Sequence, residues 1–374
     1  MANYGFDLID VDEEVAEAEV AEMVIHRNPK VYLERLNLLE VLDEENFRIR
    51  YRMRKATAER IIQMIEGQIA PFINNRGSPI SATVQFLATV RYLAKGAYGV
   101  DIGRRIPINV DSDLCYVVAD QHGLSQPSLS NIIKRVSQAL AAHRHRFINF
   151  PTAEESHQVK ADFYRFANCP SVIGAIDGTH VKIKCPGGDY PLLYLNRKGY
   201  YSLNVQVVCD AKCKIRDIVA RWRGSTHDSR IWNECHLRRR FMHGEIDGVL
   251  FGDNGYQCSR YILTPLLNPQ TNAEQRYNTA HIRTRNVIER TFGIWKNRFR
   301  CFFNGLNLQL ETTKAVIVAT AILHNLIIQE RLDNDDSSDD EYDDDNDRVI
   351  YHNDGREHVQ GNLFRARYID THFN

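Results

Sequence analysis

Two apolar runs constrain this 374-residue chain more than anything else in it. VIGAIDGTHVKI at 172–183 and GVLFGD at 248–253 read as buried strands, and each carries an aspartate, Asp177 and Asp253. A buried carboxylate is costly unless it is paired or binds a metal. Two further acids stand in distinctive settings: Asp228 in GSTHDSRIW, and Glu289 inside the helical pattern RNVIERTFGIWK. Several acids that converge are best explained by a divalent cation, because hard oxygen ligands suit it.

The texture of the chain changes near Ser171. Before it, residues 30–150 read as mainly helical, with candidate helices at Pro29–Leu42, Lys55–Ile69, Ser81–Lys95, Asp113–His122 and Gln126–Ala142. Within this block VVADQHGLSQPSLSNIIKRVSQAL has the pattern of a helix-turn-helix. Gly123 permits the sharp turn after a short helix, Ser125 caps the next helix, and Pro127 lies in its first turn. Leu129, Ile132, Ile133, Val136 and Leu140 form the apolar face, leaving Lys134 and Arg135 to point toward a groove or a phosphate. Packing in a plain helical bundle is the alternative. After Ser171 the order is strand, an antiparallel hairpin (SLNVQVVCDA with CKIRDIVARWR), a helix from Asp228 to Phe241, the strand GVLFGD, a short strand ILTPL, and helices at Thr279–Phe299 and Glu311–Leu332. That order is the one expected of an α/β RNase H-like fold, a mixed sheet flanked by helices with strands one and four side by side.

In such a fold a central strand, its neighbour and a packed helix each supply one carboxylate. Asp177, Asp253 and Glu289 match that arrangement. Phosphodiester cleavage needs an activated water and a stabilised leaving oxygen, which a pair of cations can provide. Each acid also has a plainer reading: turn chemistry for Asp177 and Asp253, a helix N-cap for Asp228, a surface ion pair for Glu289. His180 reads as structural, and His227 as a partner of Asp228 or of DNA. Arg285, Arg290 and Lys296 share the Glu289 helix, with Arg285 and Lys296 on its Glu289 face. They, with Arg197 and Lys198 before the hairpin, are candidates for gripping the phosphates of a scissile strand.

Charge is segregated along the chain. Residues 1–25 carry 8 Asp/Glu and no Lys/Arg, 333–347 carry 10 and none, and 26–332 hold 43 Lys/Arg against 27 Asp/Glu, a net of +16. A basic body between acidic ends suggests a polyanionic partner. The acidic N-terminus is unlike a signal peptide. The longest apolar run, Ala315–Ile328, contains His324 and Asn325 and reads as a buried helix rather than a membrane span. Eight cysteines without a CxxC pair imply a reducing, intracellular setting, and zinc at Cys209, Cys213 and His227 is set aside for poor spacing.

IDGTHVKI, NRKGYYSLNVQVV, GSTHDSRIW, GDNGY and NVIERTFGIWKNRFR, in this order from Cys169 to Leu326, together resemble the PIF/Harbinger superfamily of DDE transposases, and especially the Harbinger transposase-derived nucleases of animals. The resemblance implies an RNase H-like catalytic domain that holds Mg2+ or Mn2+ on Asp177, Asp253 and Glu289, with Asp228 as an additional ligand. It also implies a Myb-like partner protein for DNA recognition and nuclear entry. Related bacterial transposases carry Tyr-x2-Arg-x3-Glu-x6-Lys at the last acid; Arg285, Glu289 and Lys296 fit, while Ile282 replaces the tyrosine.

The expected organisation is a disordered acidic arm (1–28), a helical domain with the helix-turn-helix (29–150), the nuclease domain (165–332), an acidic linker (333–348) and a C-terminal segment (349–374) that docks back onto the body. The expected function is a metal-dependent DNA endonuclease in the nucleus, working as a homo-oligomer, with no membrane. The rival is a domesticated, non-catalytic DNA-binding or chromatin protein that keeps the fold. If the acidic linker competes with DNA for the basic body, deleting 333–348 tightens DNA binding at fixed salt; unchanged affinity in a filter-binding titration removes that role.

Overall fold

The computed structural model describes residues 37–69, 79–95, 122, 124–333 and 359–374. The acidic arm, the turn at Gly123, the loop 103–113, the expected helix Asp113–His122 (His122 apart) and the acidic linker after Asp333 lie outside them. So does most of the expected helix Pro29–Leu42, of which Leu38–Val41 is described as helix.

A five-stranded mixed sheet organises the second half of the chain: β1 (Val172–Lys182), β2 (Ser202–Cys209), β3 (Ile215–Arg223), β4 (Val249–Phe251) and β5 (Ile262–Leu263), in the order β3-β2-β1-β4-β5. β1, β2 and β3 pair antiparallel, whereas β4 lies parallel to β1 and β5 parallel to β4. Strands one and four are therefore neighbours. Every residue of β2 is buried, as suits a strand covered on both faces. The β2–β3 turn is tied by Asp210, whose Oδ1 accepts from the backbone N–H groups of Lys212 and Lys214, with Cys213 in the left-handed region.

Side chains alternate across the sheet. Ala175, Val181, Val205 and Val207 join one apolar cluster with Ile288 and Trp295 of the Asn272–Arg298 helix and with the core helix Leu310–Asp333. Ile176 and Val208 face the other cluster, with Trp232, Phe241 and Phe251. The core helix has the length and apolar composition of a membrane span, but its residues Val316–Ile328 are mostly buried against β3 and the Gln126–Ala142 helix.

Several element boundaries differ from the sequence reading. The segment 228–241 is two helices, Asp228–Glu234 and His236–Met242, because Cys235 is extended between them and its sulfur accepts from Arg238 N–H. The Glu289 helix starts at Asn272, where Thr271 and Glu274 form a capping box. A helix at Ala153–Ala167, also opened by a capping box, precedes β1. The Lys55 helix ends at Ile65, and ILTPL contributes two strand residues.

The last helix, Val359–Phe373, packs on the half of the chain that holds the sheet. Tyr368 Oη donates to Pro170 O at 2.7 Å, Arg365 Nη1 donates to Thr264 O at 3.1 Å, and Tyr277 meets both Tyr368 and Phe373 edge-on. Burying Tyr368, Ile369 and Phe373 contributes about 1.5–3 kcal/mol each. Gly361 sits so close to the Cys258 carbonyl that a Cβ there would stand 2.0 Å from its oxygen. Gly361→Ala is expected to lower Tm by several degrees and expose this helix to limited proteolysis, while Leu363→Ala, at an exposed position, leaves both unchanged.

Candidate active site

Register brings the first two acids together. Ala175 of β1 pairs with Phe251 of β4, so Asp177 on β1 and Asp253 just past the end of β4 both lie two residues beyond that pair. Asp177 points to the face carrying the Asn272–Arg298 helix. There Arg285 donates from Nη1 to Asp177 Oδ2 at 3.3 Å and from Nη2 to Glu289 Oε1. One guanidinium thus bridges the β1 acid and the helical acid, which lies one turn further along its own helix. On the same helix Lys296 Nζ donates to Thr179 Oγ1 at 2.5 Å, two residues beyond Asp177.

Asp228 approaches from the opposite face, beneath Gly178. A Cβ at Gly178 would lie 2.2 Å from Asp228 Oδ1, so a side chain there would displace the carboxylate. Asp228 is not an N-cap: His227 is, and Asp228 opens the first helical turn. Its Oδ1 accepts from Asn204 Nδ2 at 2.8 Å, and the same amide donates to Thr226 O at 2.9 Å. Asp253 Oδ1 accepts from Gly255 N–H at 2.9 Å.

The three aspartates resist ionisation. Burial, then repulsion from Asp253, pushes Asp177 well above the usual carboxylate range, with Arg285 opposing. Burial raises Asp228 to about 6, against the lowering bond from Asn204 and with added repulsion from Asp253. Burial also raises Asp253, opposed by the Gly255 bond and Arg285. Lys296 is lowered to about 8 by burial and by Lys198. His180 bonds Ser202 Oγ at 3.0 Å and is held near 4 by burial and by Lys296, Lys198 and Arg197, so it is neutral and structural. Arg197 donates to His227 Nδ1 at 2.8 Å. Hence Arg197, Lys198, Arg285 and Lys296 all act electrostatically on the site.

Arg290 does not join them: its Nε donates to Cys213 Sγ at 3.3 Å, at the hairpin end of the sheet. His227, held by Arg197, is likewise apart from Cys209 and Cys213. Lys134 lies exposed on the Gln126–Ala142 helix, and Arg135 is half-buried there. That helix presents Leu129, Ile132, Ile133, Val136 and Leu140 inward.

The sequence singled out neither Asn204 nor Tyr256. Tyr256 is buried, donates to Gln206 Oε1 at 3.5 Å, and feels the charge of Asp228, Asp177 and Asp253. Asn204 Oδ1 and Gln206 Nε2 are buried with no hydrogen-bond partner. Their signal was the polar residue at alternate positions of an otherwise apolar strand, SLNVQVVC. As positioned, no three His, Cys, Asp or Glu side chains among the described residues converge into a metal site, and Arg285 stands between two of the acids. The donor set nonetheless fits a hard divalent cation: four carboxylates, mutually repelling, with an orphaned amide oxygen beside them.

A sequence model described as DDE superfamily endonuclease matches residues 176–325, which contain all four acids. The human protein named "Putative nuclease HARBI1" is 34% identical over 263 residues, covering 69% of this chain and 70% of its own. Its Xenopus laevis counterpart is 30% identical over 309 residues, 80% of this chain and 82% of its own. The chain belongs to the Harbinger transposase-derived nuclease family of the DDE superfamily. "Protein ALP1-like" of Arabidopsis thaliana is a more distant relative, 21% identical over 308 residues, 76% of this chain and 71% of its own. No solved structure matches the chain.

A raised carboxyl pKa means that folding favours the protonated acid. The contribution of Asp228 is therefore full below about pH 4 and lost as pH rises through about 6. Asp228→Asn is expected to raise Tm at pH 8 by several degrees and to flatten the wild-type decline between pH 4 and 6, read by thermal unfolding across pH.

Proposed function

We propose that this chain is a divalent-metal-dependent DNA endonuclease with an RNase H-like catalytic domain, derived from or part of a Harbinger-type transposon. The observation that supports the reading is the placement of Asp177, Asp253 and Asp228 near one end of β1 and β4, where burial and mutual repulsion work against their ionisation, with Glu289 tied to Asp177 through Arg285. Asp177, Asp253 and Glu289 would hold Mg2+ or Mn2+, with Asp228 assisting. Bound there, a pair of cations would activate water for attack on a phosphodiester and stabilise the leaving oxygen.

The chain's own residues do the positioning. Asn204 holds the Asp228 carboxylate by Oδ1, and the backbone N–H of Gly255 holds Asp253. β1 carries Asp177 and β4 leads straight into Asp253, so paired strands hold the two acids relative to each other. Arg285 would give up its bridge between Asp177 and Glu289 as cations enter and turn its fork to a DNA phosphate, a geometry that guanidinium suits. Lys296, on the same face, would hold a second phosphate, and Arg197 and Lys198 a third from the opposite side.

The helix Gln126–Ala142 would serve as the recognition helix of a helix-turn-helix, with Lys134 and Arg135 toward DNA. A Myb-like partner would add sequence recognition and nuclear entry, and a homo-oligomer would pair two DNA ends. The non-catalytic rival has less support, because it gives no reason for four acids to be held together at a cost in stability.

Cleavage of supercoiled plasmid tests the reading. Nicking with Mg2+ or Mn2+, absent in EDTA and reduced at least a hundredfold in both Asp177→Ala and Glu289→Ala, is the expected result. Nicking that survives in either variant overturns the assigned acids. A folded wild type that fails to nick with any metal, alone or with a Myb-like partner, overturns the enzyme.

A further inference from the structure

A second concentration of charge lies away from the acids, in a cleft of about 730 Å³ between the helical block and the hairpin end of the sheet. Arg60 comes from the Lys55–Ile65 helix, His143 from the end of Gln126–Ala142, Arg146 from the short helix Arg144–Phe147 that follows, Lys214 from just before β3 and Arg216 from within it. Glu155 is the acid in the lining. Lys214 follows the β2–β3 turn, two strands across and four residues along from Asp177, hence about 16 Å from it.

The cations of this lining differ in how far acids offset them. Arg216 is satisfied, with Nε on Asp210 Oδ2 at 2.7 Å and Nη1 3.9 Å from Glu155. Arg60 and Arg146, by contrast, have no carboxylate within ion-pair distance among the described residues. Lys214 Nζ donates to the amide oxygen of Gln329 at 3.3 Å, and its ammonium is disfavoured by burial and by Arg216, with Asp210, Glu155 and Asp333 opposing. Like charges gathered in a concave wall repel one another unless an anion comes between them. The floor is already set: Asn325, buried, locks Phe147 O and Ile215 N–H and O, so the cleft keeps its shape without a ligand.

We propose that this cleft is a phosphate-binding site distinct from the acid cluster, with Arg60, Arg146 and Lys214 as its anion-binding groups. Two sources offer that chemistry: the backbone of bound DNA, or a free polyphosphate. The DNA source rests on the nuclease reading; the free source does not.

The test is titration calorimetry of the full chain with inorganic pyrophosphate, beside filter binding of duplex DNA at several salt concentrations. Wild type, Arg60→Glu/Arg146→Glu and Glu155→Gln are compared, with plasmid nicking followed in parallel. The double variant should weaken pyrophosphate or DNA at least tenfold. For DNA, the log–log salt slope should also fall by about 0.9 for each phosphate that the protein no longer neutralises. Glu155→Gln keeps the capping box with Thr152 and removes the competing acid, so it should bind several-fold tighter; a misfolded protein would not gain affinity. DNA weakened in the double variant and competed by pyrophosphate assigns the backbone. Pyrophosphate binding abolished with DNA unchanged assigns a free ligand. Neither ligand affected by either variant overturns the site, whatever the nicking assay shows, and a wild type that fails to nick while still binding pyrophosphate faults the nuclease reading instead.

Discussion

The guanidinium of Arg285, wedged between Asp177 and Glu289, is the contact on which the site depends. Carboxylates at the end of parallel neighbours repel each other, and burial sharpens the repulsion by lowering the local dielectric. A charged partner in such a place contributes little net stability, yet taking it away leaves uncompensated charge, a change that costs about 3–5 kcal/mol in comparable buried pairs. Arg285 and Glu289 share a helix, so their pairing is local and easily made. Asp177 is more than a hundred residues away, and it is this long-range half of the bridge that ties the helix to the sheet beside the acids. The arrangement is therefore under tension by construction: the bridge balances charge in the protein alone, but occupies the space between two acids that a cation would share.

Around this bridge the backbone supplies the accuracy. β1 passes between two acids that approach from opposite faces, Asp177 on its own side and Asp228 from beneath, and the absent side chain of Gly178 is what lets the second come close. Asn204, in the neighbouring strand, then fixes Asp228 through an amide whose two donors are both occupied, leaving its oxygen facing the acids unpaired. Stability is given up for this. Raised proton affinities at Asp177, Asp228 and Asp253 mean that ionising them works against the fold, the usual signature of a site kept for chemistry rather than for packing.

Much of this was legible in the sequence, for identifiable reasons. The apolar runs closing on Asp177 and Asp253 could only be buried strands, and the strand, hairpin, helix, strand order places strands one and four together. The i, i+4 spacing of Arg285 and Glu289 and the longer step to Lys296 put those residues on one helical face. What stayed hidden depended on three-dimensional detail. Arg290, adjacent to Glu289 in sequence, is rotated about 100° around the helix and so reaches Cys213 instead. The break at Cys235 carries no glycine or proline to announce it. Asn204 and Tyr256 are single polar groups in apolar surroundings, and only the packing shows that both face the acids. The basic cleft draws its lining from five separate segments, which no single stretch of sequence announces.

The helix Val359–Phe373 has a consequence of its own. It is joined to the core helix by the chain between Asp333 and Val359, but what holds it in place is an aromatic cluster, a tyrosine hydroxyl on Pro170 and an arginine on Thr264. Covalent continuity only raises its local concentration. A molecule cut once between those two helices would thus remain assembled as two associated fragments, whole by size under native conditions and divided only when denatured.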